Sequence, residues 1–96
     1  MSSPEANERQ FTLRDVAVSW RDVDGEIIAL DVESGAYLML EGSGRLLWLA
    51  LVEPVSRADL AGLLQDEFDI PNERAVADVA VFVEDLVERG LVEAVA

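Results

Sequence analysis

Apolar and polar residues follow two rhythms along this chain, and the change falls near residue 42. From Val16 the spacing is two: Val16, Val18 and Trp20 alternate with Ala17, Ser19 and Arg21, as in a half-buried strand. Asp24-Gly25 follows, and Asp-Gly suits a two-residue hairpin loop because both positions tolerate positive φ. A second strand spans Glu26 to Val32, with Ile28, Leu30 and Val32 on one face. Glu33-Ser34-Gly35 is a second turn. Ala36 to Leu40 is a third strand, Leu38 and Leu40 facing one way and Tyr37 and Met39 the other. Three short strands joined by short turns predict an antiparallel meander.

Beyond Gly42-Ser43-Gly44 the rhythm is helical. Ser43 is a candidate N-cap. Leu46, Leu47, Leu49, Ala50 and Leu51 around Trp48 predict a short, mostly buried helix that Glu53-Pro54 ends. Ser56 with Asp59 three residues on resembles a capping box. It opens a second helix, in which Leu60, Leu63, Leu64 and Phe68 recur at helical spacing. Pro71 suits the start of a third, about Glu73 to Arg89. There Ala75, Val79, Phe82, Val83 and Leu86 form the core stripe. Arg74, Asp78, Val81 and Asp85 make one shoulder, and Val76, Ala80 and Val87 the other. Gly90 reads as the C-cap, and Leu91 to Val95 as a short apolar extension. Strands first and helices after predict an α+β, winged-helix-like fold: an N-terminal three-stranded antiparallel sheet followed by a three-helix bundle. Residues 1–10 lack apolar periodicity and are expected to form a disordered tail, leaving one domain over 11–96.

Composition narrows the chemistry. The chain carries 20 acidic and 7 basic residues, all arginine, for a formal charge of -13, with no Cys and no His. A cysteine nucleophile, a thiolate metal site and a Ser-His-Asp triad are impossible. Most of the carboxylates fall on turns and outer helix faces, where nothing tunes them for acid–base work. Gly42-Ser43-Gly44 has no following Lys and is no phosphate loop. Asp22-Val-Asp24-Gly25-Glu26 fails as a calcium loop, since Trp20 would stand at the first ligand position. No catalytic residue, metal or cofactor is expected. A winged helix can bind DNA, but negative charge lies in both halves, so nucleic acid is disfavoured. The longest apolar run, Leu46 to Val52, is far short of a membrane span, and the N-terminus does not resemble a secretory signal. A cytoplasmic protein is expected.

What remains is binding. Trp48, Phe68 and Phe82 sit at core spacing and are expected to pack inside. Tyr37, Met39 and Val81 are apolar at positions predicted to face solvent. The third strand is an edge strand with neither Pro nor charge between Ala36 and Leu40 to blunt pairing. Such an edge accepts a foreign strand, or a second copy to make a homodimer.

The residues Asp31-Val-Glu-Ser-Gly-Ala-Tyr-Leu-Met-Leu40, then Gly44-Arg-Leu-Leu-Trp48, resemble the D-x-x-x-G-x-Y-x-x-L-N-x-x-G-x-x-x-W core of PqqD-like proteins. Asp78-Val79, Phe82-Val83, Leu86 and Gly90-Leu91 are similar to that family's D-V-x-x-F-L-x-x-L-x-x-x-G-L. Glu41 stands where the family has Asn, and Tyr37-Leu38 where it has an aromatic pair. The resemblance implies a non-catalytic recognition element that binds the leader of a ribosomally made precursor peptide and presents it to modifying enzymes. It implies that the leader adds beside the third strand, along Ala36, Tyr37, Leu38, Met39 and Leu40. The last helix would close the cleft with Asp78, Val81, Phe82 and Asp85. The acidic pair would favour a leader with basic residues. The chain looks most similar to standalone members of lasso-peptide pathways, which implies a leader-cleaving cysteine protease and an amide-forming cyclase as partners. The alternative is the pyrroloquinoline quinone pathway, with a radical SAM enzyme.

Overall fold

A computed structural model describes residues 9–95. The order is β1 (Gln10–Leu13), β2 (Val18–Val23), β3 (Glu26–Asp31), β4 (Tyr37–Leu40), α1 (Ser43–Ala50), β5 (Val55–Ser56), α2 (Arg57–Phe68), α3 (Asn72–Glu88) and β6 (Val92–Val95). The expected meander is present as an antiparallel sheet in the order β2-β3-β4, ahead of three helices. The expected tail lies outside the described residues up to residue 8, and Gln10 already belongs to a strand.

The hairpin between β2 and β3 turns on Asp24 (φ 52°) and Gly25 (φ 81°), closed by the Val23–Glu26 pair. Positive φ at both loop positions is what a type I′ turn requires. Register then decides which residues enter the core. Val18, Trp20, Ile27, Ala29, Leu38 and Leu40 share the inner face. Ile28 and Leu30 share a face as expected, but it is the outer one; Val32 lies past the strand and is exposed. Val16 likewise precedes its strand, in the turn where Ala17 N–H donates to the Arg14 carbonyl (2.9 Å).

A second antiparallel sheet, β5-β1-β6, was not anticipated. β1 lies between the other two, in register Gln10–Ser56 on one side and Leu13–Val92 on the other. Phe11, Leu13 and Val92 are buried there. The Leu51 carbonyl at the end of α1 accepts from Leu13 N–H (2.9 Å) and the Thr12 hydroxyl (3.0 Å), so the helix end and β1 complete each other's hydrogen bonds.

The core gathers around Trp48, which is fully buried and meets Trp20 edge to face, with centroids 6.1 Å apart at 78°. Arg45, one turn earlier on α1, forks onto Asp22 of β2 through Nε–Oδ1 (3.0 Å) and Nη2–Oδ2 (2.6 Å). Gly44 lets α1 approach β4: a Cβ there would sit 3.3 Å from Leu40 Cδ2. The N-cap of α1 is Gly42 rather than the expected Ser43, with no side-chain bond; its positive φ (58°) swings the chain from strand to helix. Ser56 caps α2 as expected, its Oγ accepting from Asp59 N–H (3.0 Å). Phe68, expected in the core, is 43% exposed at the last position of α2, where Asp69 leaves the helix in a left-handed conformation.

α3 buries Ala75, Val79, Val83 and Leu86, while Phe82 is half-buried at the rim of this stripe. It ends in a Schellman motif: Gly90 N–H donates to the Val87 carbonyl (2.9 Å) and Leu91 N–H to the Leu86 carbonyl (3.0 Å). Gly90 has φ 75°, and its carbonyl accepts from Arg14 Nη1 (2.8 Å). Left-handed φ costs a non-glycine residue about 1–2 kcal/mol. Gly62, inside α2, has open space where a Cβ would go. Gly90→Ala is therefore expected to lose about 1–2 kcal/mol in urea unfolding, and Gly62→Ala to gain about 0.5–1 kcal/mol.

Candidate functional site

The site is built from a strand edge and a helix stripe. The turn before β4 is set by Asp31, whose Oδ1 accepts from Glu33 N–H (3.1 Å) and Ser34 N–H (3.3 Å). Hydrogen bonding with Ser34, aided by the Glu33 amide and the charge of Arg89, holds the Asp31 carboxyl below its ordinary pKa against a small desolvation cost. Ala36 opens the strand with both main-chain groups engaged. Its N–H donates to Ser34 Oγ (3.2 Å), and its carbonyl accepts from Asp31 N–H (2.8 Å).

That last bond sets the ladder. In an antiparallel pair, successive residues alternate between bonding inward and pointing outward. Ala36 bonds toward β3, so Leu38 and Leu40, opposite Ala29 and Ile27, do the same. Tyr37 and Met39 therefore turn their N–H and C=O groups to the free edge of the sheet. Their side chains are 70% and 65% exposed. Ala36 was expected to take part in pairing; its engaged backbone makes it the end of the available edge.

α3 supplies the candidate helix stripe. Near its start, Arg74 and Asp78 line a cavity of about 310 Å³ together with Ser43, Leu64, Phe68 and Ile70, just past the end of β4. Near its finish, the charge of Arg89 is felt at Asp31, just before β4 begins. The start of α3 thus lies toward the end of β4 and its finish toward the turn before it, so helix and strand run in opposite senses. Helical spacing puts Arg74, Asp78, Val81, Asp85 and Arg89 on one stripe. Val81, at its middle, is 69% exposed, and Phe82 beside it packs on the core that Leu38 and Leu40 also join.

The carboxylates of this stripe are not free charges. Arg74 Nε lies 3.7 Å from Asp78 Oδ2, and Arg89 Nε donates to Asp85 Oδ2 at 3.0 Å. Each acid has a base on the same helix, so the stripe is near neutral and its attraction for a basic ligand is largely offset. The i,i+4 spacing of both pairs was legible in the chain. Phe68, Ile70 and Ser43 were not singled out as lining residues, because only the exposure of Phe68 reveals the cavity. Among the described residues no three His, Cys, Asp or Glu side chains cluster to hold a metal. No helix there is long and apolar enough to cross a membrane.

The family model for coenzyme PQQ synthesis protein D (PqqD) matches residues 26–92, which include β4 and all of α3. The chain belongs to the PqqD family. No curated protein matches it. Two solved structures share its fold. TbiB1 in complex with the TbiA(beta) leader peptide has 24% identity and a TM-score of 0.78, over 88% of this chain and 98% of that one. A lasso peptide synthetase B1 complexed with the leader peptide has 31% identity and a TM-score of 0.74, over 86% of this chain and 96% of that one. The expected α+β class and the PqqD-like resemblance agree with these matches.

Asp31 binds its proton more weakly folded than unfolded, so its charge contributes stability above the ordinary Asp range and loses it as pH falls through the folded value. The stability difference between wild type and Asp31→Asn is expected to shrink on acidification below that range. Urea midpoints measured from pH 7 to pH 3 check this; a difference that stays constant contradicts it.

Proposed function

We propose that this PqqD-family protein is a non-catalytic adaptor that captures the leader of a ribosomally made precursor peptide and presents it to modifying enzymes. The observation that carries the reading is the open main-chain edge at Tyr37 and Met39, together with the exposed Val81 on α3, whose start shares a cavity with Ser43 just past β4. An extended peptide fits between them as a fourth strand on the β2-β3-β4 sheet. Its main chain takes the free groups of Tyr37 and Met39, while alternate side chains point to Val81, Phe82 and the cavity under Phe68.

Magnitudes divide the work between these parts. Four main-chain hydrogen bonds contribute about 4 kcal/mol net. A micromolar complex needs about 8 kcal/mol. The side-chain contacts along Leu38, Leu40, Val81 and Phe82 must supply the remainder and the ordering cost. Specificity therefore resides in apolar leader residues. Asp78 and Asp85, already paired, add little.

Likeness to the lasso peptide synthetase B1 favours a lasso pathway over pyrroloquinoline quinone synthesis. The partners in this reading are a leader-cleaving cysteine protease and an amide-forming cyclase.

Titration of the full chain with the leader of its precursor tests the proposal. Met39→Pro removes an outward N–H, which an edge strand tolerates. It should abolish leader binding and leave the far-UV circular dichroism unchanged. Val81→Asp should weaken binding about tenfold or more, the cost of setting a charge against an apolar contact. Wild-type affinity in both folded variants would remove the cleft from consideration.

A further inference from the structure

The chain carries two sulfur atoms, in Met1 and Met39, and no cysteine. Met1 lies outside the described residues, so Met39 is the thioether whose surroundings are defined. It stands within the open edge of β4, 65% exposed, on the face of the sheet turned away from the core. Its cross-strand partner within the sheet is Ile28. An antiparallel sheet with one solvated face ordinarily alternates to polar residues there. A large exposed thioether at the edge, backed by an aliphatic side chain, departs from that pattern. Folding does not account for it, because Leu38 and Leu40 supply the inward side chains of β4.

We propose that Met39 is an oxidation site at which a hydroperoxide switches leader capture off, an inference that rests on the leader-binding reading. The Sδ lone pair attacks one peroxide oxygen. An S–O bond forms and the O–O bond breaks. Sulfur loses two electrons in becoming the sulfoxide, and the other peroxide oxygen leaves as water, taking the proton of the transferred one. Access is the first ground. The side chain is open to solvent and needs no movement of the fold to be reached. No thiol on the chain competes for the oxidant.

Position is the second ground. A leader residue that bonds to the Met39 main chain lies directly opposite it, with the two Cβ atoms about 5 Å apart on the outer face. In the free chain the sulfur is open on that side. In the bound chain it lies between Ile28 and the leader strand. A flexible thioether fills such a gap well. A sulfoxide sets a polar acceptor there with no donor to meet it. Oxidation therefore weakens leader binding and spares the fold, since this side chain is no part of the core. The coupling runs both ways. A bound leader covers the sulfur, so the empty adaptor is sensitive to peroxide and the loaded one is protected.

The test treats the full chain alone with hydrogen peroxide, removes the oxidant, and titrates with a synthetic leader peptide. Mass spectrometry should place one added oxygen on Met39. Leader affinity should fall about tenfold, the cost of one unpartnered polar group, with the far-UV circular dichroism unchanged. Methionine sulfoxide reductases of both epimer specificities, with a thiol reductant, should restore it. Met39→Leu is the control: whatever its own starting affinity, that value should be the same before and after peroxide. Leader present during the treatment should slow the gain of oxygen at Met39 about tenfold. Unchanged affinity of the Met39 sulfoxide overturns the proposal, as does a Met39 that gains no oxygen. An equal loss in peroxide-treated Met39→Leu overturns it too, assigning the effect to another residue. So does a loss of secondary structure on oxidation, or an oxidation rate that the leader leaves unchanged. Failure of the untreated wild-type chain to bind the leader at all overturns the adaptor reading, and this one with it.

Discussion

The joint between α1 and the meander holds the binding geometry together. Trp48 is buried at the centre of the helices and meets Trp20 of β2 edge to face, and the Arg45–Asp22 fork closes the same joint at its solvent side. α1 follows β4 after two residues, and Gly44 packs it directly on Leu40. The position of the strand edge relative to α3 is therefore set by a tight corner and one aromatic contact. Apolar burial supplies the main stabilisation there. The ion pair, whose members are about a third exposed, contributes orientation more than energy.

Charge has a different role from the one that composition suggests. Twenty carboxylates on 96 residues disfavour a nucleic-acid partner and oppose self-association. Yet the helix stripe beside the edge is nearly neutral, because Arg74 and Arg89 each hold an aspartate. Four of the chain's hydrogen-bonding groups are left to the open edge, and apolar side chains flank them. In the adaptor proposed above, recognition reads main-chain shape and apolar residues, with net charge acting mainly to disfavour competitors.

Much of this was legible in the chain. Asp24-Gly25 specified the hairpin, Ser56 and Asp59 the cap of α2, and Gly90 the end of α3. The exposed character of Tyr37, Met39 and Val81 followed from period alone. Three features were not legible, for separate physical reasons. β1, β5 and β6 are two to four residues long, too short for periodicity, and pair across 40 residues or more in sequence. The phase of β3 was ambiguous because Ile27 and Ile28 are equally apolar; only the small Ala29, opposite Trp20, fixes which enters the core. Phe68 has core spacing but sits at the helix terminus, where the left-handed Asp69 ends the turn that would have covered it.

The claim on which the rest stands is that Tyr37 and Met39 hold unpaired main-chain groups which a leader strand completes. Amide hydrogen exchange on the intact chain, with and without the leader, tests it most directly. The Leu38 and Leu40 amides, already bonded to β3, should be protected in both states. The Tyr37 and Met39 amides should exchange quickly alone and slow by about tenfold or more when the leader is bound, as newly formed strand bonds close them to solvent. Binding that leaves Tyr37 and Met39 unprotected would contradict strand addition at β4.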